Sequence, residues 1–324
     1  YAVYDLGGGT FDISIIILSG HEFELLATDG VSRLGGDDFD EVIRKLVKEK
    51  YKEATGGELD EADFTKNDAE NYKISLSSLE EVKDKVRSNA GRAMVSITRQ
   101  EFNEAISSLI AQTEMLCETA MSDAGLSSND IKGVFLAGGC TRMPAVLDSV
   151  KRVFQQEPQR SSNVDEVVAL GAALYAAYKA DHSQLSPMQK QSVSQIAVEE
   201  ITSNYFGTTA MVHDENRAED KLQNSILIRK GEKVPCSITK TFYTRHDSQS
   251  SVNCIVTQSK SSETDPRFVK VVWAGDLELP DDRPAGQEIL VTFSYDENGM
   301  MQCSFMDAGS GQKTDVNLHV ASAS

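Results

Sequence analysis

Asp5-Leu6-Gly7-Gly8-Gly9-Thr10-Phe11-Asp12 is the stretch from which the fold can be worked out, because it joins two apolar segments. The segment before it, residues 1–4, is short and apolar. The segment after it, residues 11–18, is rich in β-branched residues, which favours a half-buried strand. The pattern therefore predicts a strand hairpin whose turn is made of glycine.

The turn has the composition of a phosphate-binding loop. Consecutive glycine amides approach an anion closely, and Asp5 and Asp12 flank them. Carboxylates beside a phosphate require a cation between them, so we predict Mg²⁺ held with its waters at these two aspartates. A plain hairpin with a flexible tip is the alternative for the glycines alone; Thr10 and the aspartates favour phosphate.

Composition limits the classes of partner. The chain has 324 residues, which predicts two domains, and a formal net charge of -18, which argues against nucleic acid or an anionic membrane. No apolar run approaches the ~20 residues that cross a bilayer, and the start does not resemble a signal peptide. Five widely spaced cysteines are interpreted as buried thiols in a reducing compartment, so we predict a cytoplasmic location.

A second glycine pair precedes an amphipathic helix. Gly35-Gly36 leads into apolar residues at helical spacing, with Asp37 or Asp38 as the predicted cap. The helix N-terminus is a second candidate for phosphate. Residues 101–122 are predicted to form one long helix.

Two further segments contain candidate site residues. A predicted helix places three polar residues on one face, a pattern that by itself is typical of a solvated surface: Glu70, Lys73 and Ser77. A predicted buried strand, residues 134–137, runs into a turn that would aim amides at a ligand, with a planar cation beside it: Gly138, Gly139 and Arg142. Asp165 precedes an apolar, alanine-rich helix that we expect to pack on the sheet.

In this order the segments resemble the DnaK-type seventy-kilodalton heat-shock chaperones nearly from end to end. Residues 5–12 resemble the family's second phosphate loop and residues 34–40 its next nucleotide-contact turn. The resemblance implies ATP or ADP, Mg²⁺ and K⁺ as ligands, with Asp5 on a metal-bound water and Asp12 on a cation. It implies phosphate at Gly7, Gly8, Gly9 and Thr10, and nucleoside between Glu70, Lys73, Ser77 and the group Gly138, Gly139, Arg142 and Asp165. In the full-length family protein Asp5, Thr10 and Asp12 would contribute to catalysis.

The chain departs from the family pattern at named positions. Ile74 stands where the family usually has an arginine against the adenine, Cys140 replaces a serine and Val164 a proline. The family's first lobe, with its first phosphate loop and catalytic lysine, is expected before Tyr1, and its helical lid beyond Ser324. We therefore expect this chain by itself to hydrolyse ATP negligibly.

The second half has a different pattern. Residues 181–200 are predicted to be a linker through which nucleotide state would be coupled to peptide release. From residue 201 onward, short β-rich runs recur with turn signals, which predicts a β-sandwich. This half resembles the family's peptide-binding β-domain, and the resemblance implies a cleft lined by Phe206, Thr208, Ala210, Met211, Val252 and Cys254. For each of these, a place in the core is the competing interpretation.

The sequence thus predicts an actin-like (ribonuclease H-like) α/β ATPase lobe over residues 1–180, the linker, and a peptide-binding sandwich over residues 201–324. The resemblance implies an ATP-regulated chaperone in the stress response. Its expected partners are unfolded or extended polypeptide, a J-domain cochaperone and a nucleotide-exchange factor. Two alternatives stay open: an actin-like or sugar-kinase-like phosphotransferase with an unrelated β appendage, and a non-catalytic binding module.

Overall fold

The computed structural model describes residues 1–20, 22–159, 164–181, 183, 185–194, 196–214, 219–296 and 299–319. The chain forms two compact units, unit 1 up to Val198 and unit 2 from Glu199. The boundary falls inside the segment predicted as a linker, of which residues 182, 184 and 195 lie outside the described residues. Asn163, which precedes the alanine-rich helix in the sequence, also lies outside them.

Unit 1 is built on a mixed sheet. Its strands are β1 (Ala2–Leu6), β2 (Phe11–Ser19), β3 (Glu22–Val31) and, much later in the chain, β6 (Val134–Ala137). β2 runs antiparallel to both β1 and β3, whereas β6 lies parallel to β1, giving the order β3-β2-β1-β6. The predicted hairpin of β1 and β2 is confirmed, and β1 and β6 end at the same edge of the sheet.

The other elements described in unit 1 are helices and a second hairpin: α1 (Gly36–Thr55), α2 (Lys66–Leu76), β4 (Glu81–Ser88), β5 (Gly91–Thr98), α3 (Arg99–Ala105), α4 (Ser107–Asp123), α5 (Pro144–Phe154), α6 (Val167–Lys179) and α7 (Pro187–Val193). α4 packs on β2 and β3, and the hydroxyl of Tyr4 on β1 donates to Thr113 Oγ1 at 3.0 Å in the buried core. α1 packs against α2 and β5. No helix in the described part of the chain is long and apolar enough to span a bilayer.

Two helix predictions are wrong. Residues 101–122 do not form one helix, because α3 and α4 meet at Ile106, whose backbone is not helical (φ -91°, ψ 0°). Ile106 is fully buried, and the break lets each helix direct its own apolar face to the core. α6 has no buried residue, although we expected it to pack on the sheet. Its apolar composition shows that burial would be favourable but does not identify the surface that would cover it.

Unit 2 consists almost entirely of strands: β7 (Ala197–Ile201), which crosses the boundary, β8 (Tyr205–Asp214), β9 (Glu219–Ile228), β10 (Lys233–Val234), β11 (Cys236–Tyr243), β12 (Ser251–Ser259), β13 (Lys270–Glu278), β14 (Glu288–Tyr295), β15 (Met300–Asp307) and β16 (Lys313–His319). β7 and β10 pair antiparallel with each other, and the other eight of these strands form two four-stranded antiparallel sheets, with orders β13-β12-β8-β9 and β11-β14-β15-β16. Side chains of both sheets share one apolar cluster, which includes Phe206 and Val256 from one and Phe293 and Phe305 from the other.

The cysteines agree with the interpretation as buried thiols. All five are free; four are buried and Cys236 is half-buried.

Candidate functional site

The glycine loop between β1 and β2 is fixed through its carbonyl groups. The amide of Gly36 donates to Gly7 O at 3.0 Å, and the amide of Asp37 donates to Gly8 O at 2.7 Å. Gly8 and Gly9 are exposed, and their amides donate to no acceptor in the described part of the chain. The loop therefore has anchored carbonyls and available N–H groups, the arrangement that binds an anion.

The N-terminus of α1 contacts this loop, and its capping residue differs from the predicted one. The N-cap is Gly35, and neither aspartate caps the helix; the Asp38 carboxylate accepts from Gly35 N–H at 2.9 Å. The amides of Gly36 and Asp37, expected to face phosphate, are occupied by the loop carbonyls. A Cβ on Gly35 would lie 2.7 Å from the Gly8 carbonyl carbon, so glycine is required for the loop and the helix to approach each other.

Asp5 and Asp12 lie directly opposite each other on β1 and β2. Burial raises the pKa of the Asp5 carboxyl, and the charge of Asp12 raises it further. A cation near both carboxylates would relieve this repulsion, and their all-oxygen donor set suits Mg²⁺. Among the described residues, no group of three or more His, Cys, Asp or Glu side chains could hold a metal ion, so Mg²⁺ here would keep most of its waters.

The turn after β6 lies against Asp5. Ala137 is the parallel partner of Asp5, and the next residue, Gly138, has φ +82°. A Cβ on Gly138 would lie 2.3 Å from Leu6 O and 2.8 Å from Asp5 Oδ1. Both the backbone angle and the lack of space require glycine, and the turn therefore lies at the same sheet edge as the glycine loop.

Lys73 is buried beneath this edge. Its Nζ lies 2.8 Å from Asp40 Oδ1 and donates to Gly36 O at 3.1 Å. Burial raises the pKa of the Asp40 carboxyl, and Lys73 partly opposes that effect. Of the other two residues predicted for this face, Glu70 is exposed and Ser77 is half-buried, with its hydroxyl donating to Lys73 O at 3.2 Å. Glu70 and Lys73 lie in α2 and Ser77 directly follows it, but Lys73 points inward toward α1.

Cys140 connects the turn to the glycine loop. Its thiol donates to Gly7 O at 3.3 Å, and burial raises its pKa to about 11 although Lys73 lowers it. A Cβ on Gly36 would lie 2.9 Å from Lys73 Nζ and 3.0 Å from Cys140 Sγ. Four segments therefore meet at Gly36: the glycine loop, α1, α2 and the turn after β6.

Arg142 and Asp165 form an ion pair on the exposed side of the same edge. Asp165 also lies beside the turn, because a Cβ on Gly139 would be 3.3 Å from its Oδ1. Ile74, which replaces the family's arginine, is 59% exposed on α2. The structure thus brings most of the predicted nucleotide residues to one sheet edge, with Arg142 on the solvent side and Lys73 inside.

Unit 2 contains a cavity of about 320 Å³ between residues of both sheets. Its lining is mainly apolar and includes four of the six predicted cleft residues: Thr208, Ala210, Met211 and Val252. The other two, Phe206 and Cys254, do not line the cavity but are 1% and 0% exposed in the core. For these two the competing interpretation as core residues is supported.

Sequence reasoning missed other contributors to both sites. Asp40, the ion-pair partner of Lys73, lies among the buried residues of α1, and a charged residue at a buried helical position indicates that it needs a partner. Phe242 and Arg245 line the cavity in unit 2, and no local pattern distinguishes them from other residues near the end of a strand.

Comparison with known families covers both units. A family model described as Hsp70 protein matches residues 1–323. The chain belongs to the Hsp70 family. Because the match runs through both units, it contradicts the alternative in which the β half is an unrelated appendage.

Membership gives these structural observations a general function. Hsp70 proteins are chaperones with an actin-like ATPase fold, and they bind nucleotide with Mg²⁺, unfolded polypeptides and cochaperones. Unit 1 of this Hsp70 chain is mixed α/β, as that fold requires. The ligand contacts of its individual residues stay predictions.

Proposed function

We propose that unit 1 of this Hsp70 chain binds ATP or ADP with Mg²⁺ at the edge where β1 and β6 end. The observation that supports it best is the meeting of the glycine loop, Lys73 and the Gly138 turn at Gly36. The available amides of Gly8 and Gly9 would donate to phosphate oxygens. Asp5 would hold Mg²⁺ through water.

The remaining residues divide between the nucleoside and cations. Glu70, Ser77 and Arg142 are accessible enough to contact the nucleoside, and Ile74 would pack on the base by apolar contact without a cation-π contribution. Asp12, which is exposed, would attract K⁺ in addition to Mg²⁺. A J-domain protein and an exchange factor would act on this nucleotide state in the cytoplasm.

The test is a titration of the isotopically labelled chain with ADP and MgCl₂, followed by NMR. Amide shifts are expected at Gly8, Gly9 and Gly139. Arg142→Gln should weaken binding about fivefold, from the loss of one exposed contact to a charged group. Arg152→Gln is the matched control, since Arg152 is also an exposed, ion-paired arginine but lies on α5. Shifts that spare the glycine loop would refute the assignment.

We propose that unit 2 is a β-sandwich whose cavity binds an extended apolar segment of an unfolded protein. The cavity supports this, because its apolar walls come from both sheets and exposed apolar side chains surround it. An extended peptide gains affinity from main-chain hydrogen bonds and selectivity from a pocket for a side chain. Burying one leucine contributes about 1.5 to 3 kcal/mol and each backbone hydrogen bond about 1 kcal/mol. These contributions sum to less than the roughly 8 kcal/mol of a micromolar complex, so we expect weak binding with fast exchange.

The peptide site is tested by fluorescence anisotropy with a labelled leucine-rich heptapeptide. Val252→Phe fills the cavity and should abolish binding while circular dichroism stays unchanged. Val271→Phe is the control, because Val271 is 53% exposed on β13 and does not line the cavity. Full binding by folded Val252→Phe would exclude the cavity as the peptide site. Release measured with ATP and with ADP tests regulation by nucleotide.

A further inference from the structure

A cavity of about 400 Å³ lies between α2 and β4 in unit 1, and none of its lining residues belongs to the proposed nucleotide site. We call it the α2–β4 cavity. Its volume is typical of small-molecule sites, which span about 300 to 1,000 Å³. One wall is a face of α2 and the other consists of alternate residues of β4: Asp68, Tyr72 and Ser75, and Val82, Asp84 and Val86.

The hydroxyl of Tyr72 is buried in this wall without a partner. Tyr72 is only 5% exposed, and its hydroxyl makes no hydrogen bond within the described part of the chain. Its ring packs edge-on against Phe64, with the ring centroids 5.3 Å apart, which holds the side chain in place. Buried polar groups normally have a hydrogen-bond partner. Because Tyr72 lines the cavity, a ligand bound there can supply the missing one.

Two carboxylates lie near this hydroxyl. Burial, together with the negative charges of Asp84 and Asp68, raises the pKa of Tyr72 to about 12. The hydroxyl therefore stays neutral at physiological pH. Asp84 stands between Val82 and Val86 in the alternation of β4, on the same face as the buried Val86. A carboxylate at such a position on an apolar strand face indicates that it has a cationic partner to bind.

The charge that faces the cavity is negative. Asp63 lines the cavity together with Asp68 and Asp84. Lys85 and Arg87 also line it, but they occupy the other positions of the β4 alternation, so their side chains leave the strand from the face opposite to that of Asp84. These walls therefore favour a cation over an anion.

An organic cation fits the walls better than a metal ion. Among the residues that the structure describes, no group of three or more His, Cys, Asp or Glu side chains could hold a metal ion. An ammonium group has three N–H donors, and the carboxylates of Asp68 and Asp84 with the hydroxyl oxygen of Tyr72 provide three acceptors. Val82 and Val86 provide apolar contact for an attached alkyl chain.

We propose that the α2–β4 cavity is a binding site for a small primary alkylammonium ion. The ammonium group donates to Asp68, Tyr72 and Asp84, and the alkyl chain packs on the valines of β4. The proposal depends on neither nucleotide binding nor peptide binding.

The test is an NMR titration of the isotopically labelled chain with n-butylammonium chloride at constant ionic strength. Saturable amide shifts are expected in α2 and β4, with a dissociation constant in the millimolar range. 1-Butanol has the same chain without the charge and should bind at least about tenfold more weakly. Equal binding of 1-butanol, or the absence of saturable shifts with butylammonium, would overturn the proposal.

Variants identify the groups that hold the ammonium. Asp84→Asn and Tyr72→Phe should each weaken butylammonium binding about fivefold. Asp148→Asn is the matched charge control and should bind as the wild type does, because Asp148 is an exposed aspartate on α5 that does not line the cavity. Affinities of the two cavity variants equal to that of Asp148→Asn would contradict the assignment.

The stability of Tyr72→Phe without ligand is a second measurement. The substitution removes a buried hydroxyl that lacks a partner, so the variant should unfold in urea at a concentration no lower than the wild type does. Unfolding at a clearly lower concentration would show that the hydroxyl already has a partner within the protein, and the proposal would then be wrong.

Discussion

Alanine at Gly35 is expected to destabilise unit 1 through a single steric contact. Gly35 has φ -175° and ψ -161°, an extended backbone that alanine adopts readily, so backbone strain does not contribute. The added Cβ would lie 2.7 Å from both the carbonyl carbon and the oxygen of Gly8. These are backbone atoms that cannot rotate away, so the glycine loop and α1 have to separate.

The size of the effect follows from the hydrogen bonds between the loop and α1. Moving the contact from 2.7 Å to an ordinary 3.4 Å requires a shift of about 0.7 Å. That shift lengthens the Asp37 N to Gly8 O bond from 2.7 to about 3.4 Å, and the Gly36 N to Gly7 O bond from 3.0 to about 3.7 Å. Each such bond contributes about 1 kcal/mol, so the free energy of unfolding should fall by about 2 kcal/mol.

The measurement is urea denaturation with a separate probe for each unit. Amide NMR signals of α1 report on unit 1, while the single tryptophan, Trp273, lies in unit 2 and serves as an internal reference. Gly9→Ala is the matched control, because no atom lies within 4 Å of its added Cβ. If Gly35→Ala loses the α1 signals at the same urea concentration as Gly9→Ala, close packing of loop on helix is not what requires glycine.

Three further predictions concern buried or paired charges. Lys73→Met leaves the buried Asp40 carboxylate without its ion-pair partner and should lower the unfolding free energy by about 3 kcal/mol. Adding Asp40→Asn should recover at least half of this loss in the same urea assay, and no recovery would contradict the pairing. Burial and a neighbouring carboxylate raise the pKa of Asp5, so its ionisation opposes folding as the pH rises above the ordinary value of 3.8. Asp5→Asn should therefore be more stable than the wild type at pH 7, yet it should bind Mg²⁺-ADP about tenfold more weakly by calorimetry. Arg283 lowers the pKa of the fully buried Asp307 to about 2, so the stability from this carboxylate is present above pH 3.8 and lost as the pH falls toward 2. Asp307→Asn should therefore lose about 2 to 3 kcal/mol at pH 7 and show a flatter acid dependence of tryptophan fluorescence unfolding.

The parts of the fold that were predictable from sequence are those set by local pattern. The hairpin of β1 and β2 follows from an apolar segment before consecutive glycines and β-branched residues after them, and the turn at Gly138 follows from an apolar run that ends in a glycine pair. Both signals lie within about ten residues of the feature they indicate. The resemblance to a known family then gave their joint placement at one edge, which no local pattern supplies.

The parts that were not predictable depend on contacts distant in sequence. Lys73 was expected on a nucleotide-facing surface, but Asp40, 33 residues earlier, draws it inward. The helix breaks at Ile106, which is fully buried, and its contacts with segments distant in sequence are not visible in any local pattern.

α1 has a mechanical consequence because it is anchored at both ends. Its 20 residues span about 30 Å, with the glycine loop bound at the N-terminus. Near the other end, Lys50 Nζ donates to Ser96 O at 2.7 Å, and the hydroxyl of Tyr51 donates to Gly91 O at 2.9 Å, both on β5. Because α1 is held near both ends, we expect a displacement of the glycine loop to move the β4–β5 hairpin as well. A force on that hairpin should likewise displace the glycine loop.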